Sequence, residues 1–480
     1  MAGEEQYDVL FTGGTVIDGT GAPRVRADVA VTGERIAAVG DLAEAQAGRT
    51  IDATGRIVSP GFIDAHTHDD NLLLVDPDVT PKTSQGVTTV IAGNCGVSLA
   101  PLTPGRPTPP PLDLLGGPAD FRYPRFADYV AALDEAPPAA NAGLLVGHSA
   151  LRLDTMDDVD RPATAGEIDA MRERLAEGME AGALGFSTGL IYGPNKAATT
   201  DEVAAVAEVA GAAGGLYVTH MRDEGADIET AMEEAFEIGR RAGADVVISH
   251  HKCAGRANFG RSGETLALIE KTRRSQSVGL DVYPYTAGST VLMPEMVGKA
   301  ERVIVTWSEP HPEHAGRDLP DVAAEMGLDP IAAAERLQPA GGIYFMMDEA
   351  DVRRIMAYEH SMIGSDGLPH DQHPHPRLWG TFPRVLGHYS RELGLLTLED
   401  AVRRMTGLTA AQFGLTDRGE VRTGAYADLV MFDAETIADE ATFEAPTRPA
   451  AGIDIVMVNG TIVREAGRVT GKRPGRALRR

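Results

Sequence analysis

The sequence predicts an α/β fold, a (β/α)8 TIM barrel with a small β-sandwich built from both chain termini and an inserted lid subdomain between barrel strands 7 and 8. The middle of the 480-residue chain alternates eight apolar runs with helical stretches. Both ends consist of short alternating runs divided by glycine, and one connection is far longer than a barrel crossover. We therefore expect residues 1–57 and 416–480 to form the sandwich and residues 58–415 the barrel, with the insertion at about 287–343.

The two ends of the chain share a pattern in which apolar residues alternate with polar ones and glycine interrupts the runs. Such runs predict antiparallel strands, and chain termini often lie close together. One β-sandwich made from both ends explains the likeness. The N-terminal runs are "YDVLFTGGTVIDGTG", "RADVAVTGERIAAVG" and "RTIDATGRIVSPG", and the C-terminal ones are "GEVRTGAYADLVMFDA" and "DIVMVNGTIVREAGRVT".

The eight apolar runs of the middle segment predict the barrel strands. In chain order they are "GFIDAHTH", "TTVIAGNCG", "AGLLVGHSA", "ALGFSTGL", "LYVTHMRDE", "DVVISHHKC", "GLDVYPYTAG" and "SMIGSDGLP". Helical stretches such as "TAGEIDAMRERLAEGMEAG" separate most of them and end at glycine. The first helix is the weak point, because "VTPKTSQG" is short. The stretch "LTPGRPTPPPLDLLGGPADFRYPRF" must be a loop, since proline continues neither a helix nor a central strand.

Composition excludes several classes of partner. The chain has 44 Lys and Arg against 70 Asp and Glu, a formal net charge of −26, which repels nucleic acid and anionic membranes. Two cysteines cannot form a disulfide framework, and this indicates a reducing compartment. The start lacks the pattern of a secretory signal, and no segment has the roughly 20 apolar residues of a membrane helix. We therefore expect a cytoplasmic protein with a small-molecule partner.

Metal-ligating side chains follow the strand runs, at the face where TIM barrels build their active sites. His66 and His68 are two residues apart, so both imidazoles lie on one side of a strand. Further candidates after the second, fifth, sixth and eighth runs are Cys95, His220, His250 and Asp366. Thiolate, imidazole and carboxylate form a ligand set that zinc accepts, with one position left open. Taken alone, Cys95 would be interpreted as a buried apolar residue; within this set we predict that it binds metal.

Neighbouring polar residues are interpreted as structural. Cys253 lies beyond a strand end and is expected to pack, while His251 should face away from its neighbour. Lys196 could in principle be a carboxylated lysine, but it follows a proline in "YGPNKAATTDE" and is expected in a solvated loop. The segment "PHDQHPHPRLWG" resembles a metal cluster, yet its prolines predict a rigid surface loop. Its histidines are His370, His373 and His375.

Taken together, these segments resemble the amidohydrolase superfamily and, within it, the N-acyl-D-amino-acid deacylases. The resemblance runs in order along nearly the whole chain. The matching segments are "PGFIDAHTHDD", "GVTTVIAGNCGVSLAPL", "VGHSALR", "GALGFSTGLIYGP", "YVTHMRDE", "ISHHK", "DVYPYT", "IGSDGLP" and "GEVRTGAYADLVMFD". It implies a zinc-dependent hydrolase built from a barrel and a β-sandwich. The chain departs from the superfamily's binuclear pattern because it lacks a lysine on strand four, which leaves the occupancy of a second metal position open.

The resemblance also implies residue roles. A tightly held zinc would be bound by Cys95, His220 and His250, and a weaker second position would be formed by His66, His68 and Asp366. Asp366 would be the catalytic acid–base group. The substrate-binding residues would comprise a clamp for the substrate carboxylate, made by Lys252, Tyr283 and Arg377, a side-chain pocket with Ile191, Tyr344 and Met347, and in addition Tyr192 and Ser289.

The chemistry is consistent with amide hydrolysis. Zinc polarises a carbonyl and lowers the pKa of water, Asp366 can transfer the proton, and Arg binds carboxylates through two parallel hydrogen bonds. The basic residues of the insertion nearest to strand 7, Lys299 and Arg302, have Glu295 and Glu301 close by to neutralise them. An acidic substrate side chain would need a free arginine or lysine in its pocket, since a buried unpaired carboxylate is costly. We therefore expect a preference for N-acyl-D-amino acids with hydrophobic side chains.

Several alternatives stay open at this stage. They are an N-acyl-D-glutamate or N-acyl-D-aspartate deacylase, a cyclic-amide hydrolase that relies on a carboxylated lysine, and a hydrolase of N-acyl-L-amino acids or prolyl substrates. A catalytically silent interaction protein of the same fold is the non-enzyme alternative, and the presence of every expected ligand speaks against it.

Overall fold

The computed structural model describes residues 6–480, and the predicted barrel is confirmed as its largest unit. Eight parallel strands pair in chain order, each with the next. They are Phe62–Asp64, Val87–Ala92, Asn141–Gly147, Gly185–Gly189, Leu216–His220, Asp245–Ile248, Val278–Val282 and Ser361–Ile363, called barrel strands 1 to 8 below. Five of them lie within the sequence runs that predicted them, and strands 2, 3 and 7 begin one residue earlier. Within the described chain, no helix combines the length and the apolar character that crossing a membrane requires.

Helices cover the outside of the barrel. Thr164 and Glu167 form a capping box at the start of Ala165–Glu180, and Gly243, with φ 64°, ends Ile228–Ala242. The α-helices around the barrel are Leu72–Val75, Thr80–Thr83, Phe126–Glu135, His148–Thr155, Ala165–Glu180, Gly193–Lys196, Thr200–Ala212, Ile228–Ala242, Ser262–Arg273, Glu349–Ala357, Arg377–Arg384, Leu398–Met405 and Gly407–Phe413. A π-helical segment, Val385–Glu392, continues the helix that starts at Arg377. The doubtful first helix is present as the four residues Thr80–Thr83.

The β-sandwich consists of a four-stranded and a seven-stranded sheet that share one apolar core. The four-stranded sheet has the order Arg35–Gly40, Asp28–Thr32, Gln6–Thr12, Gln46–Asp52. The seven-stranded sheet combines both chain ends in the order Arg468–Val469, Thr461–Glu465, Ile453–Val458, Leu429–Phe432, Ile57–Pro60, Thr15–Val16, Val25–Arg26. The predicted boundary at residue 57/58 falls inside one of these strands. Near the C-terminal end, Ala477–Leu478 pairs with barrel strand 3.

The long connection between barrel strands 7 and 8 folds as a small subdomain with its own sheet. Its central strand, Ala340–Phe345, is antiparallel to both neighbours, Ala287–Val291 and Arg302–Ser308. Three α-helices accompany the sheet: Pro294–Val297, Leu319–Met326 and Pro330–Arg336. Because the sheet ends at Phe345, the insertion runs two residues beyond the predicted limit.

Apolar side chains fill the lower part of the barrel, and this places the polar residues at its other end. One buried apolar cluster inside the barrel contains residues from several strands: Ile63, Leu145, Leu216, Val247 and Met362. The histidines, cysteine and aspartate that follow the strands therefore lie at the carboxyl-terminal face, where barrel active sites form.

Candidate active site

Three of the predicted site residues have a backbone conformation that L-residues rarely adopt. Cys95, His250 and Asp366 have φ values of 55°, 35° and 50°. Each follows the end of a barrel strand by two or three residues, so the chain turns sharply as it leaves the strand. Positive φ in a non-glycine residue costs about 1–2 kcal/mol and concentrates at functional sites. The turns direct the thiol, the imidazole and the carboxylate toward one point above the barrel.

Four of the predicted ligands converge in a buried cluster. Their ligand atoms all lie within 4.8 Å of one another, and the residues are His66, Cys95, His250 and Asp366. Cys95 Sγ is 3.2 Å from His66 Nε2 and 3.3 Å from His250 Nε2, while His66 Nε2 is 3.4 Å from Asp366 Oδ1. A thiolate, two imidazoles and a carboxylate at this spacing fit zinc.

His68 and His220 lie at opposite sides of this cluster. His68 Nε2 is 3.3 Å from Asp366 Oδ1. The His220 ring is 4.4 Å from the His250 ring, and both its nitrogens are buried without a hydrogen-bond partner in the described protein. The nearest carboxylate oxygen, Glu224 Oε2, is 3.6 Å from Nε2. A buried imidazole without a hydrogen bond is costly unless another group binds it, which is consistent with a ligand role. The structure thus brings all six predicted metal residues together.

The charges in the cluster support metal binding. Burial would raise the pKa of the Cys95 thiol, but His66 and His250 hold that pKa well below its ordinary value. Burial likewise works against ionisation of Asp366, yet Arg377, His250 and His66 keep its pKa well below the usual range. Both shifts favour the anionic form, the state in which these groups bind metal.

Two carboxylates that sequence reasoning missed fix the imidazoles. Asp281, on barrel strand 7, lies 3.3 Å from His66 Nδ1 and accepts the His250 main-chain N–H at 2.9 Å. Glu224 Oε1 lies 3.0 Å from His250 Nδ1. Both carboxylates face Nδ1, so Nε2 of each histidine stays directed at the cluster. Asp281 stands inside "GLDVYPYT", and an acidic residue in an otherwise apolar strand was the available signal.

A cavity opens beside the cluster and contains every predicted substrate-binding residue. Its polar side is formed by Lys252, Tyr283 and Arg377, together with Asp366 and Glu224. Lys252 Nζ donates to Glu224 at 2.7 Å, and Arg377 Nη1 forms an ion pair with Asp366 Oδ2 at 2.9 Å. The Arg377 guanidinium lies 4.6 Å from the centre of the Tyr283 ring. Each cation of the predicted clamp is thus held by a carboxylate, and both lie near the Tyr283 ring.

The remaining predicted residues line the same cavity with their hydroxyl groups already engaged. Tyr192 Oη lies 3.0 Å from Thr290 Oγ1, Ser289 Oγ donates to a main-chain carbonyl at 3.3 Å, and Tyr344 Oη donates to another at 3.1 Å. The Ser289 carbonyl also accepts from Arg377 Nη2 at 2.9 Å. Ser289 and Tyr344 therefore hold the insertion and the clamp in place.

The other wall of the cavity is apolar. The predicted residues Ile191 and Met347 are part of it, and five more side chains were not predicted: Leu114, Met293, Met296, Met346 and Leu368. They come from the proline-rich loop, the insertion and the segment after strand 8, whose spatial meeting sequence alone does not show. Among the described lining residues, Lys252 and Arg377 are the sole Lys or Arg.

Two sequence-based expectations were wrong. Arg302 forms an ion pair with Asp318 at 2.5 Å. Glu295 and Glu301 are nearer in the sequence, but Asp318 lies on a segment of the insertion that packs beside Arg302. The segment around His370, His373 and His375 is largely buried instead of superficial: His375 is 1% exposed, and its Nδ1 accepts the Arg377 main-chain N–H at 2.9 Å. The insertion and the sandwich cover this segment.

The residues interpreted as structural lie apart from the metal cluster. His251 is buried with Nε2 2.8 Å from Thr265 Oγ1, and Cys253 is buried as a free thiol. Lys196 is exposed in the short helix Gly193–Lys196. A carboxylated lysine that bridges two metals would have to be buried at the cluster, so Lys196 does not support the cyclic-amide alternative.

Comparison with known proteins gives consistent matches. The model of the amidohydrolase family matches residues 49–464. D-aminoacylase of Alcaligenes xylosoxydans xylosoxydans is 57% identical over 476 residues, which are 99% of this chain and 98% of the relative. N-acyl-D-aspartate deacylase of the same organism is 52% identical over 474 residues, which are 98% of this chain and 95% of the relative.

Solved structures of two deacylases have nearly the same fold as this chain. A crystal structure of D-aminoacylase has a TM-score of 0.97 at 58% identity, covering 99% of this chain and 100% of the other. N-acyl-D-glutamate deacylase from Bordetella bronchiseptica was solved with zinc and a phosphonate inhibitor that mimics the tetrahedral intermediate. It has a TM-score of 0.96 at 49% identity and the same coverage.

Proposed function

Because the chain belongs to the amidohydrolase family, and within it to the D-aminoacylases, we propose that it hydrolyses N-acyl-D-amino acids with hydrophobic side chains. The products are a carboxylate and a free D-amino acid. The observation that carries the proposal is one cavity with three parts: a buried set of metal ligands, a paired cationic clamp and an apolar wall. The two cations suit an α-carboxylate, the ligand set suits an amide carbonyl, and the wall suits an apolar side chain.

Zinc is the metal that the donor set favours, since it combines a thiolate with imidazoles. We assign the tightly held ion to Cys95, His220 and His250, and a weaker second position to His66, His68 and Asp366. When bound, zinc polarises the amide carbonyl and lowers the pKa of water to about 7. The zinc complex of the N-acyl-D-glutamate deacylase supports the choice of metal.

Asp366 is the residue that we assign to proton transfer. Its carboxylate lies 6% exposed beside the ligand cluster and faces the cavity. A carboxylate at this position accepts a proton from the attacking water and later donates it to the departing amine, which would otherwise leave as a poor anion. Arg377 holds Oδ2, so Oδ1 keeps a defined orientation toward the histidines.

The clamp binds the α-carboxylate of the substrate. Arg377 is fully buried, and its Nε lacks a hydrogen-bond partner among the described residues, so this N–H is available to a ligand in the cavity. Lys252 supplies a second positive charge, and Tyr283 lies between the two cations and contacts Met347. Fixing the carboxylate and the scissile carbonyl together leaves one direction for the side chain. The D-enantiomer then points its side chain into the apolar wall, whereas the L-enantiomer meets the opposite wall.

The side-chain preference follows from the charges around the wall. Lys252 and Arg377, which also pair with Glu224 and Asp366, are the cations assigned to the α-carboxylate. Lys299 and Arg302 are exposed and do not line the cavity. A glutamate or aspartate side chain would therefore bury a carboxylate without a cation of its own, which is costly. This argument favours D-methionine, D-leucine and D-phenylalanine.

Initial rates on a small substrate panel test the proposal. We expect kcat/KM for N-acetyl-D-methionine to exceed that for N-acetyl-D-glutamate by about 100-fold or more, since leaving a buried charge unpaired costs several kcal/mol. Among apolar side chains, one methylene should change kcat/KM by only about 10- to 200-fold. N-acetyl-D-glutamine is the matched control, because it has the size of glutamate without the charge and should rank between the two.

Each outcome separates one part of the proposal. A higher kcat/KM for N-acetyl-D-glutamate than for N-acetyl-D-leucine would refute the apolar-wall assignment and favour an acidic-substrate deacylase. Faster turnover of the L-enantiomers would refute the stereochemical argument. Absence of turnover for all N-acyl amino acids by zinc-loaded protein would refute the deacylase function.

A further inference from the structure

Barrel strands 8 and 1, which close the barrel, lack the regular ladder of hydrogen bonds that joins the other neighbouring strands. This contact between strands 8 and 1 is called the joint below. Within the described chain, strands 1 to 8 pair successively in a ladder, whereas strands 8 and 1 are joined by an isolated parallel bridge between Thr67 and Gly367 and by a hydrogen bond from the Ala65 N–H to the Ile363 carbonyl at 3.2 Å. Beside that bridge, the Asp366 main-chain N–H donates to the His66 carbonyl at 2.8 Å. The proton-transfer residue and a metal-ligating histidine therefore stand on opposite sides of the least paired joint in the barrel.

A buried lysine contacts residues on both sides of this joint. Lys82, on the four-residue helix Thr80–Thr83, donates from Nζ to Asp64 Oδ2 at 2.9 Å and to Ser365 Oγ at 2.5 Å. Asp69 Oδ2 lies 3.5 Å from the same nitrogen. Asp64 belongs to strand 1, whereas Ser365 directly precedes Asp366 after strand 8. One ammonium group thus contacts both sides of the joint.

Main-chain hydrogen bonds connect this contact to the reacting residues. Asp64 Oδ1 accepts the Ser365 N–H at 2.7 Å and the His66 N–H at 3.3 Å. Ser365 Oγ, which accepts from Lys82, also accepts the Gly367 N–H at 3.2 Å. The main chain on both sides of Asp366 and next to His66 is therefore fixed by side chains that Lys82 holds.

The strands must also approach closely at this point. A methyl group at Gly364 would lie 2.6 Å from His66 Cβ, so glycine is required there. Lys82, Asp64 and Asp69 are fully buried. Burial works against the charged form of Lys82, but the two carboxylates outweigh it and raise its pKa, so the lysine keeps its positive charge.

We propose that Lys82 is a positioning residue that fastens barrel strand 8 to strand 1 and thereby fixes Asp366 relative to His66 and His68. Lys82 belongs neither to the cluster of metal-ligating residues nor to the described lining of the cavity. Cys95, His220 and His250 follow strands 2, 5 and 6, away from the joint, so Lys82 acts on the proton-transfer side of the site and leaves the tight zinc set unchanged.

Amide hydrogen exchange of Lys82→Met tests the joint without reference to activity. We expect faster exchange in peptides spanning 62–70 and 361–368, and unchanged exchange in a peptide spanning barrel strand 5. Arg152→Met is the matched control, because Arg152 is also fully buried and paired with a buried carboxylate, Glu202, on the outer side of the barrel. That control should lower the melting temperature without accelerating exchange at the joint. Equal exchange at the joint in Lys82→Met and wild type would overturn the proposal.

Kinetics separate positioning from plain stabilisation, and this part rests on the proposed deacylase function. Well below the melting temperature, kcat of Lys82→Met should fall about 10- to 100-fold, the usual effect of losing a group that orients a ligand. We expect KM within about twofold of wild type and about one zinc per chain, because the clamp and the tight zinc set stay intact. Arg152→Met should keep the wild-type kcat.

Two further variants cover the case in which Lys82→Met does not fold. Asp64→Asn with Lys82→Met removes the ammonium group and the carboxylate nearest to it, and should recover part of the stability without recovering kcat. Ser365→Ala removes the hydroxyl bridge alone and should lower kcat less. Wild-type kcat in these variants, or loss of the zinc together with kcat, would contradict the assignment. If wild type itself fails to hydrolyse N-acetyl-D-methionine, the proposed function falls, while hydrogen exchange still decides the role of Lys82.

Discussion

Asp366→Asn is the most direct test of the reaction chemistry. The substitution keeps the side-chain shape and removes one negative charge. Asp366 Oδ1 lies 3.3 Å from His68 Nε2, and Oδ2 lies 2.9 Å from Arg377 Nη1. An amide oxygen can replace one of these acceptors, but the amide NH2 must then face the other donor. The expected structural loss is one charge-assisted contact, about 1.5–3 kcal/mol, which a folded protein of this size should tolerate.

The loss in activity should be larger than the loss in stability. Without the carboxylate, no group at this position accepts the proton of the attacking water, and such a loss lowers kcat about 10²–10⁴-fold. That range equals about 3–5 kcal/mol of barrier height. Cys95, His220 and His250 are unchanged, so the variant should keep the tight zinc.

The assay combines initial rates on N-acetyl-D-methionine with zinc content by mass spectrometry. Asp428→Asn is the matched control, because Asp428 is another buried aspartate that pairs with a buried arginine, Arg418, far from the cavity. It should cost stability and leave kcat unchanged. Turnover by Asp366→Asn within about tenfold of wild type, at full zinc content, would show that another group transfers the proton.

Two predictions concern the cysteine. Cys95→Ala should lose most of the zinc and nearly all activity, because the thiolate is one of three ligands of the tight ion; metal analysis after dialysis checks this, and full zinc content would remove the central claim. Cys95→Gly should lose the same zinc but melt at a higher temperature than Cys95→Ala, since glycine adopts a φ of 55° without strain. Equal or lower stability of the glycine variant, measured by calorimetry, would show that Cys95 is not strained.

The sequence predicted the ligand set because strand ends are local signals. An apolar run followed by His66 and His68, or by Cys95, carries both the strand and its direction in a few residues. Since the carboxyl ends of parallel strands meet at one face of a barrel, the spatial cluster followed from the count of strands. The clamp residues and the insertion were predicted from the family resemblance and from one overlong connection.

The groups that sequence reasoning missed act through long-range pairing. Asp281 and Glu224 orient histidines that lie tens of residues away in the sequence. Lys82 contacts Ser365, which is 283 residues further along the chain. In sequence, Glu224 and Lys82 have nothing that distinguishes them from solvated charged residues, and the signal for Asp281 is its place inside an apolar strand. Lys82 lies in the four-residue helix that formed the weak point of the helix count, so its segment gave no reason for attention.

The prolines around His375 predicted a surface loop, and that prediction was wrong for a related reason. Proline forbids regular secondary structure, but it does not decide whether other elements cover the loop. Here the segment that follows barrel strand 7 and a loop of the sandwich do so: the His375 ring lies 5.1 Å from the Tyr285 ring and 5.0 Å from the Phe443 ring. Arg302 shows the same limit, since its partner Asp318 is sixteen residues away.

Strain at the site is held in place by bonds from other strands. The residue after Cys95, Gly96, donates its N–H to Ser187 Oγ at 3.0 Å, and the His250 N–H is bound by Asp281. The Asp366 N–H is bound by the His66 carbonyl. Each left-handed residue costs about 1–2 kcal/mol, so the three together cost several kcal/mol of a folding free energy that is typically about 5–15 kcal/mol. Such a cost persists where neighbouring elements impose it, and here they impose it on the residues assigned to metal binding and proton transfer.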